Sequence, residues 1–260
     1  MSQRREVEIC IISDIHLGTY GCRAKELNRY LRSIRPKKLI INGDWFDIWN
    51  FSANHWPHEH TENLFLVLDY VRSGIPVYYI TGNHDDAVRR FSNFSLDGLH
   101  ILDELVIDID KKKYWIFHGD IFDLSVGGKA KWLAKLGGRS YDYLIRLNRI
   151  INYIRRQLDK EPIMLSKQIK DSVKRVVKKS VADFEEIAID HAIDHNYDYV
   201  VCGHIHKPQI REVIRDRGKT IYMNSGDWIE NCTALEYKSG DWDLFYYYNE
   251  LQYKGVRRDS

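Results

Sequence analysis

The 260-residue chain has only four cysteines, Cys10, Cys22, Cys202 and Cys232, and none is spaced as CxxC. Two of them fall in apolar runs. The set therefore reads as reduced thiols in a cytosolic protein rather than a disulfide framework. No apolar run approaches the roughly 20 residues that cross a bilayer. The run at residues 7–12 is short, is broken by Glu8 and leads directly into Asp14, so it does not read as a cleaved leader. Low-complexity tracts and solenoid repeats are also missing, and with 44% hydrophobic residues this excludes a disordered chain. What remains is a soluble globular protein, its length suited to one large domain that buries roughly 70–75% of its unfolded surface.

What the chain does have is five short histidine-and-carboxylate motifs in one order: Asp14-Ile15-His16, Gly43-Asp44, Gly82-Asn83-His84-Asp85, His118-Gly119-Asp120 and Gly203-His204-Ile205-His206. Most follow an apolar run that reads as a buried strand, at residues 7–13, 38–42, 77–81, 114–117 and 199–202. Runs that each end in a hard oxygen or imidazole donor place those donors at the carboxyl edge of a sheet, where open α/β sheets bind ligands. Taken alone, any one histidine here is better explained by a core hydrogen bond. The ordered set of five is not.

The residue types suit phosphoester chemistry. Two divalent ions about 3.5–4 Å apart offset the charge at phosphorus, ionise a shared water and align attacking and leaving oxygens. A bridging carboxylate is required, and Asp44 is the candidate. Asp14, His16 and His206 would complete one shell, and Asn83, His118 and His204 the other. Oxygen and imidazole donors without thiolate suit Mn first, with Fe or Zn as alternatives.

These positions resemble, residue by residue, the calcineurin-like metallophosphoesterases, and the resemblance spans nearly the whole chain apart from a central helical stretch. It implies an α/β fold, a four-layer α/β/β/α sandwich. It also implies that His84 stands beside the substrate as an unligated catalytic histidine, with Asp85 orienting it. A narrower resemblance, to UDP-2,3-diacylglucosamine pyrophosphatases of lipid A synthesis, lies in Gly43-Asp44-Trp45-Phe46-Asp47-Ile48-Trp49, His118-Gly119-Asp120, Gly203-His204-Ile205-His206-Lys207-Pro208 and Ser225-Gly226-Asp227-Trp228. It implies an acylated UDP-sugar substrate, cleaved to UMP and a lipid-linked sugar 1-phosphate. At one position the chain departs from the best-known branch of that group, which has Arg where this chain has His84; that sets the chain in a different branch.

The first half alternates strand and helix, with helices at residues 23–34 and 59–73, and the last 60 residues return to strands. Residues 238–241 read as a hairpin turn. Between about residues 123 and 195 apolar residues recur at three-to-four spacing, the sign of a helical cap inserted into the single catalytic domain. Residues 129–179 hold 15 basic and 4 acidic residues, net +11, against 24 basic and 33 acidic, net −9, in the remainder. A basic helical module of this kind suits an anionic membrane surface, which would place the protein at the inner face of the cytoplasmic membrane. Trp45, Lys129, Trp132, Arg139, Lys167 and Lys170 are candidates for substrate contact; for Trp45, as for Phe46 and Trp49, core packing on a strand-to-loop turn is the alternative reading. The histidine-rich loop at residues 54–60 reads as a rim of the cleft, with a third metal as the alternative.

Two other functions fit parts of the pattern. A soluble phosphodiesterase for nucleotides or nucleic acid would use the basic stretch to track phosphates, although no interleaved aromatic platform supports nucleic acid. A noncatalytic protein-binding scaffold would show eroded ligands, and every ligand position here is intact. No protein partner can be read from the sequence.

Overall fold

A computed structural model describes residues 4–51, 55–122 and 182–249. Two compact units divide the chain: residues 1–120 with 189–260, and residues 121–188. The first holds β1 (Arg5–Ile12), α1 (Ala24–Ser33), β2 (Ile34–Asn42), α2 (His58–Arg72), β3 (Val77–Ile80), β4 (Phe94–Leu96), β5 (Leu99–Leu102), β6 (Glu104–Ile109), β7 (Lys112–Phe117), β8 (Tyr199–Cys202), β9 (Gln209–Arg215), β10 (Gly218–Asn224), β11 (Thr233–Lys238) and β12 (Asp241–Tyr246). In the second, the Phe122 and Phe184 rings lie 6.0 Å apart. A helix described over residues 182–194, α3, runs from the second unit into the first. The boundary thus falls inside a segment that the sequence pattern assigned whole to the insertion.

The strands form two sheets, ordered β12-β11-β1-β2-β3-β5-β4 and β6-β7-β8-β10-β9. β1, β2, β3 and β5 run parallel, as do β7, β8 and β10. Parallel neighbours align their carboxyl ends, and this brings loops distant in sequence to one edge. Alternation along the strands makes two cores. Ile9, Ile11 and Ile40 face Ile116, Val201 and Met223 of the other sheet. Cys10, Ile12, Leu39 and Ile41 pack with Leu27, Tyr30 and Leu31 of α1 and Val67 and Tyr70 of α2. Those helix residues recur at three-to-four spacing, one stripe per helix. On the far face of the second sheet, Trp115 lies 4.5 Å ring to ring from His191 of α3. The order is helix, sheet, sheet, helix.

Two details were not anticipated. β2 begins at Ile34 and includes Pro36. Pro36 stands near the start of the strand beside Val7 of β1, where β2 is still an edge because β3 pairs only from Leu39 onward. The β4–β5 hairpin was missed, although Asp97 and Gly98 at its tip both have positive φ, 46° and 97°, as an Asp-Gly hairpin turn requires.

Candidate metal centre

The two carboxyl edges are tied together before any ligand is considered. Ser13 Oγ lies 2.6 Å from Ser225 Oγ, and Asn42 Nδ2 donates to the Phe117 carbonyl at 3.0 Å. The loops after β1 and β2 run side by side: Asp14 N–H donates to Gly43 O, and Ile15 and His16 N–H both donate to Asp44 O. Asp14, His16, Asp44, His204 and His206 all take left-handed backbone, with φ of 52°, 56°, 52°, 66° and 52°. Outside glycine this region costs about 1–2 kcal/mol per residue, and a cluster of it marks a site that the surrounding packing must hold. Close approach explains two glycines. A Cβ on Gly43 would lie 2.1 Å from His118 Nδ1, and one on Gly82 would lie 2.2 Å from Asp44 Oδ1.

Three groups offer ligand atoms within 4.8 Å of one another: Asp14 with His16 and His206, Asp14 with Asp44 and His118, and His16 with Asp44 and His84. His206 Nε2 is 3.1 Å from Asp14 Oδ1, and His118 Nε2 is 3.3 Å from Asp44 Oδ2. Asp44 Oδ1 accepts the His84 N–H at 2.9 Å, so its other oxygen is the one facing Nε2 of both His16 and His118. Two of the imidazoles are oriented from behind. His118 Nδ1 bonds the Asn42 carbonyl at 2.9 Å, and His16 Nδ1 lies 3.1 Å from Asp47 Oδ2. A ring that donates from Nδ1 keeps Nε2 as its lone pair. His204 donates its backbone N–H to Asp14, and its ring lies 5.2 Å from that of His118.

The electrostatics follow from these pairings. Burial alone would push the histidines down and the carboxylates up. The facing partners win: Asp14 raises His206 to about 9, Asp44 raises His118 well above its ordinary value, and Asp14 and Asp44 fall below the usual carboxylate range. Buried His16 Nε2, His118 Nε2 and Asn83 Oδ1 have no hydrogen-bond partner. Buried polar atoms without a hydrogen-bond partner are costly unless something binds them. With two buried carboxylates among them, the donor set fits divalent metal ions.

Two expectations are corrected. Asp85 does not orient His84. Its carboxylate accepts Gly82 N–H, Trp45 N–H and Tyr79 O–H, pointing away from the ring, whereas Asp47 Oδ1 lies 2.9 Å from His84 Nδ1. Adjacent residues in a turn direct their side chains differently, so the neighbour in sequence is not the neighbour in space. Trp45 does not line a substrate surface. It is 5% exposed, and its indole N–H donates to Asn63 Oδ1 at 2.9 Å, which makes it part of the core. Lys129, Trp132, Arg139, Lys167 and Lys170 lie outside the described residues.

The loop containing His55 and His60 joins no metal group among the described residues. His60 is buried and accepts Gly18 N–H on Nδ1 at 3.1 Å, which pins the segment after His16. Asp120 receives Arg89 at 2.9 Å. Sequence reasoning gave no role to Asp47 or Asp227, though both stand in quoted motifs. Asp227 Oδ1 accepts three successive backbone N–H groups, of Ile229, Glu230 and Asn231, and Asn231 in turn donates to the His206 carbonyl at 3.0 Å. Trp228 N–H donates to the Asp14 carbonyl, so this loop braces two ligand positions at once.

The model of the calcineurin-like phosphoesterase family matches residues 7–208. A UDP-2,3-diacylglucosamine hydrolase of Aliivibrio fischeri is 25% identical over 91% of this chain and 97% of its own length. One of Vibrio cholerae is 27% identical over 87% of this chain and 93% of its own. A solved archaeal phosphodiesterase aligns at 14% identity and a TM-score of 0.44, covering 92% of this chain and 98% of that one, a likeness too loose to bear on function.

Proposed function

This chain belongs to the calcineurin-like phosphoesterase family, and we propose that it is a two-metal hydrolase of an acylated UDP-sugar, a UDP-2,3-diacylglucosamine diphosphatase. The observation that carries the metal-dependent part is the convergence of Asp14, His16, Asp44, His118 and His206 around buried, unpartnered acceptor atoms. The substrate rests on likeness to the relatives. His84 in the position after Asn83 sets the chain in a branch apart from the best-known one.

Asp14, His16 and His206 would hold one ion and Asn83, His118 and His204 the other, with Asp44 between them; Mn is the leading candidate. When bound, such ions neutralise phosphate charge and lower the pKa of water. The chain's own residues do the rest. Asp47 holds the His84 ring from behind through Nδ1, leaving Nε2 directed elsewhere. Burial pulls His84 down, but Asp47 and Asp44 raise it above its ordinary value. A protonated His84 would then donate to phosphate oxygen as charge builds on it in the transition state. The Asp14 and Asp44 carboxylates are kept ionised by His206 and His118, whose protons would leave when a cation binds.

No helix among the described residues is long and apolar enough to cross a membrane. Contact of the basic stretch, residues 129–179, with anionic lipid is part of the proposal. Salt-sensitive sedimentation with phosphatidylglycerol vesicles checks it. The function is tested by turnover, with Mn supplied, of UDP-2,3-diacylglucosamine against bis(p-nitrophenyl) phosphate, cyclic nucleotides and single-stranded DNA. Preference for the sugar nucleotide supports the reading. Faster cleavage of nucleotides or DNA makes this a phosphodiesterase instead, and no hydrolysis of any of them sinks the catalytic reading.

A further inference from the structure

We infer that Asp85 is a positioning residue for metal binding: with Tyr79 it clamps the loop that carries Asp44 to the loop that carries Asn83. The inference rests on the two-metal reading above and deepens it.

The Asp85 side chain is fully buried, and its two oxygens serve different loops. Oδ1 accepts Gly82 N–H at 2.6 Å, immediately before Asn83. Oδ2 accepts Trp45 N–H at 2.9 Å, immediately after Asp44, and also the Tyr79 hydroxyl at 2.5 Å. These donors are all neutral, and a carboxylate in the interior is tolerated on such terms only when its lone pairs are met with good geometry. The arrangement is therefore stiff. A second tie crosses the same gap, from His84 N–H to Asp44 Oδ1 at 2.9 Å. There is no slack between the loops, because a Cβ on Gly82 would already lie 2.2 Å from Asp44 Oδ1.

The clamp thus fixes where Asp44 Oδ2 stands relative to the Asn83 amide. That spacing decides whether one carboxylate can serve both ions. The Tyr79 hydroxyl, from β3, reaches the loops through Asp85 Oδ2, while its ring lies edge-on to Trp45 at 5.3 Å, a contact that Tyr79→Phe keeps. Asn63 offers a natural control. It holds the opposite end of Trp45, taking the indole N–H at 2.9 Å, and its amide donates to Asn28 Oδ1 at 3.0 Å.

The test is calorimetric titration of the metal-free protein with Mn, with bound Mn counted by its electron paramagnetic resonance. Wild-type protein should take up two ions. Asp85→Asn, which turns an amide N–H toward backbone N–H groups, should weaken uptake at both positions by about 10–100-fold, the range for outer partners of metal ligands. Tyr79→Phe should weaken it by a smaller factor, and the double variant no more than Asp85→Asn alone, because Tyr79 acts through Asp85. Asn63→Ala should lower the melting temperature yet bind Mn as wild type does. Wild-type affinity in Asp85→Asn and Tyr79→Phe overturns the clamp, and so does an equal loss in Asn63→Ala, which would make Asp85 a support of the fold only. Should Asp85→Asn not fold, Tyr79→Phe against Asn63→Ala decides. Wild-type protein that takes up no Mn overturns the two-metal reading and the clamp with it.

Discussion

Two histidine clusters meet where Gly18, two residues after His16, donates its N–H to His60, and they are built in opposite ways. Around Asp44 each ring faces a carboxylate: His206 with Asp14 at 3.1 Å, His118 with Asp44 at 3.3 Å, and His16 and His84 with Asp47 at 3.1 and 2.9 Å. At the start of α2 the rings face other rings. His55 stacks on Tyr20 at 3.7 Å, and His60 lies edge-on to Trp56 at 5.2 Å. Charge preferences diverge accordingly. His84, His118 and His206 are raised against the pull of burial, whereas burial, with His55 adding to it, lowers His60. Histidine density therefore does not mark a metal centre. Buried carboxylates aimed at the rings do.

The strongest way to break this distinction is Asp44→Ala. Removing the shared carboxylate should cost both ions and reduce hydrolysis of bis(p-nitrophenyl) phosphate by about a thousandfold or more, since metal stabilisation of the transition state supplies several kcal/mol. Elemental analysis beside the rate assay reads it, and a variant that keeps metals and rate ends the comparison. His84→Ala should keep two ions and lose about 10²–10⁴-fold in rate, the range for a positioned proton donor. Loss of metal there would make His84 a ligand. Asp47→Asn, which loosens two rings at once, should cost about 10–100-fold.

A pH series on chelated protein sharpens the contrast. His206 is raised to about 9 from an ordinary value of about 6.5, so its stabilisation is complete below about pH 6.5 and fades as pH climbs through 9. Depressed His60 runs the other way, contributing above about pH 6.5 and losing that contribution as pH falls through its lower folded value. The melting temperature of the metal-free protein should fall between pH 6.5 and 9, and Asp14→Asn should flatten that slope. The smallest effect belongs to His60→Ala. It leaves Gly18 N–H unpaired for about 1–3 kcal/mol of stability, with metal content unchanged. Thermal unfolding and metal analysis together separate it from the ligand variants.

Much of the scaffold could be read from apolar runs, because β1, β2, β3, β7 and β8 are each buried toward their carboxyl ends and end at a motif. The β4–β5 hairpin escaped since β4 is three residues long and wholly exposed, leaving no alternation to find. The candidate ligand residues were legible as letters at strand ends, and the structure shows what brings Asp14, His16, Asp44, His118 and His206 together: two sheets meeting at their carboxyl edges. Partnerships were not legible. Asp47 and Asp85 look alike in sequence, yet one turns toward His16 and His84 while the other turns under the loops. Only backbone direction separates them. Trp45 and Trp49 also share a motif, but one is 5% and the other 48% exposed. The basic stretch, residues 129–179, was legible only as a charge pattern.

The left-handed backbone at Asp14, His16, Asp44, His204 and His206 limits how this centre can be rebuilt. Apart from glycine, the residues most at ease there are Asn, Asp and His. Coordination and conformation therefore draw on the same three-letter alphabet. An engineer wishing to retune the metal with Glu or Cys at these positions meets a backbone obstacle before a coordination one. Asp, Asn and His can be exchanged among themselves at little conformational cost, so variation in metal preference is channelled into those swaps.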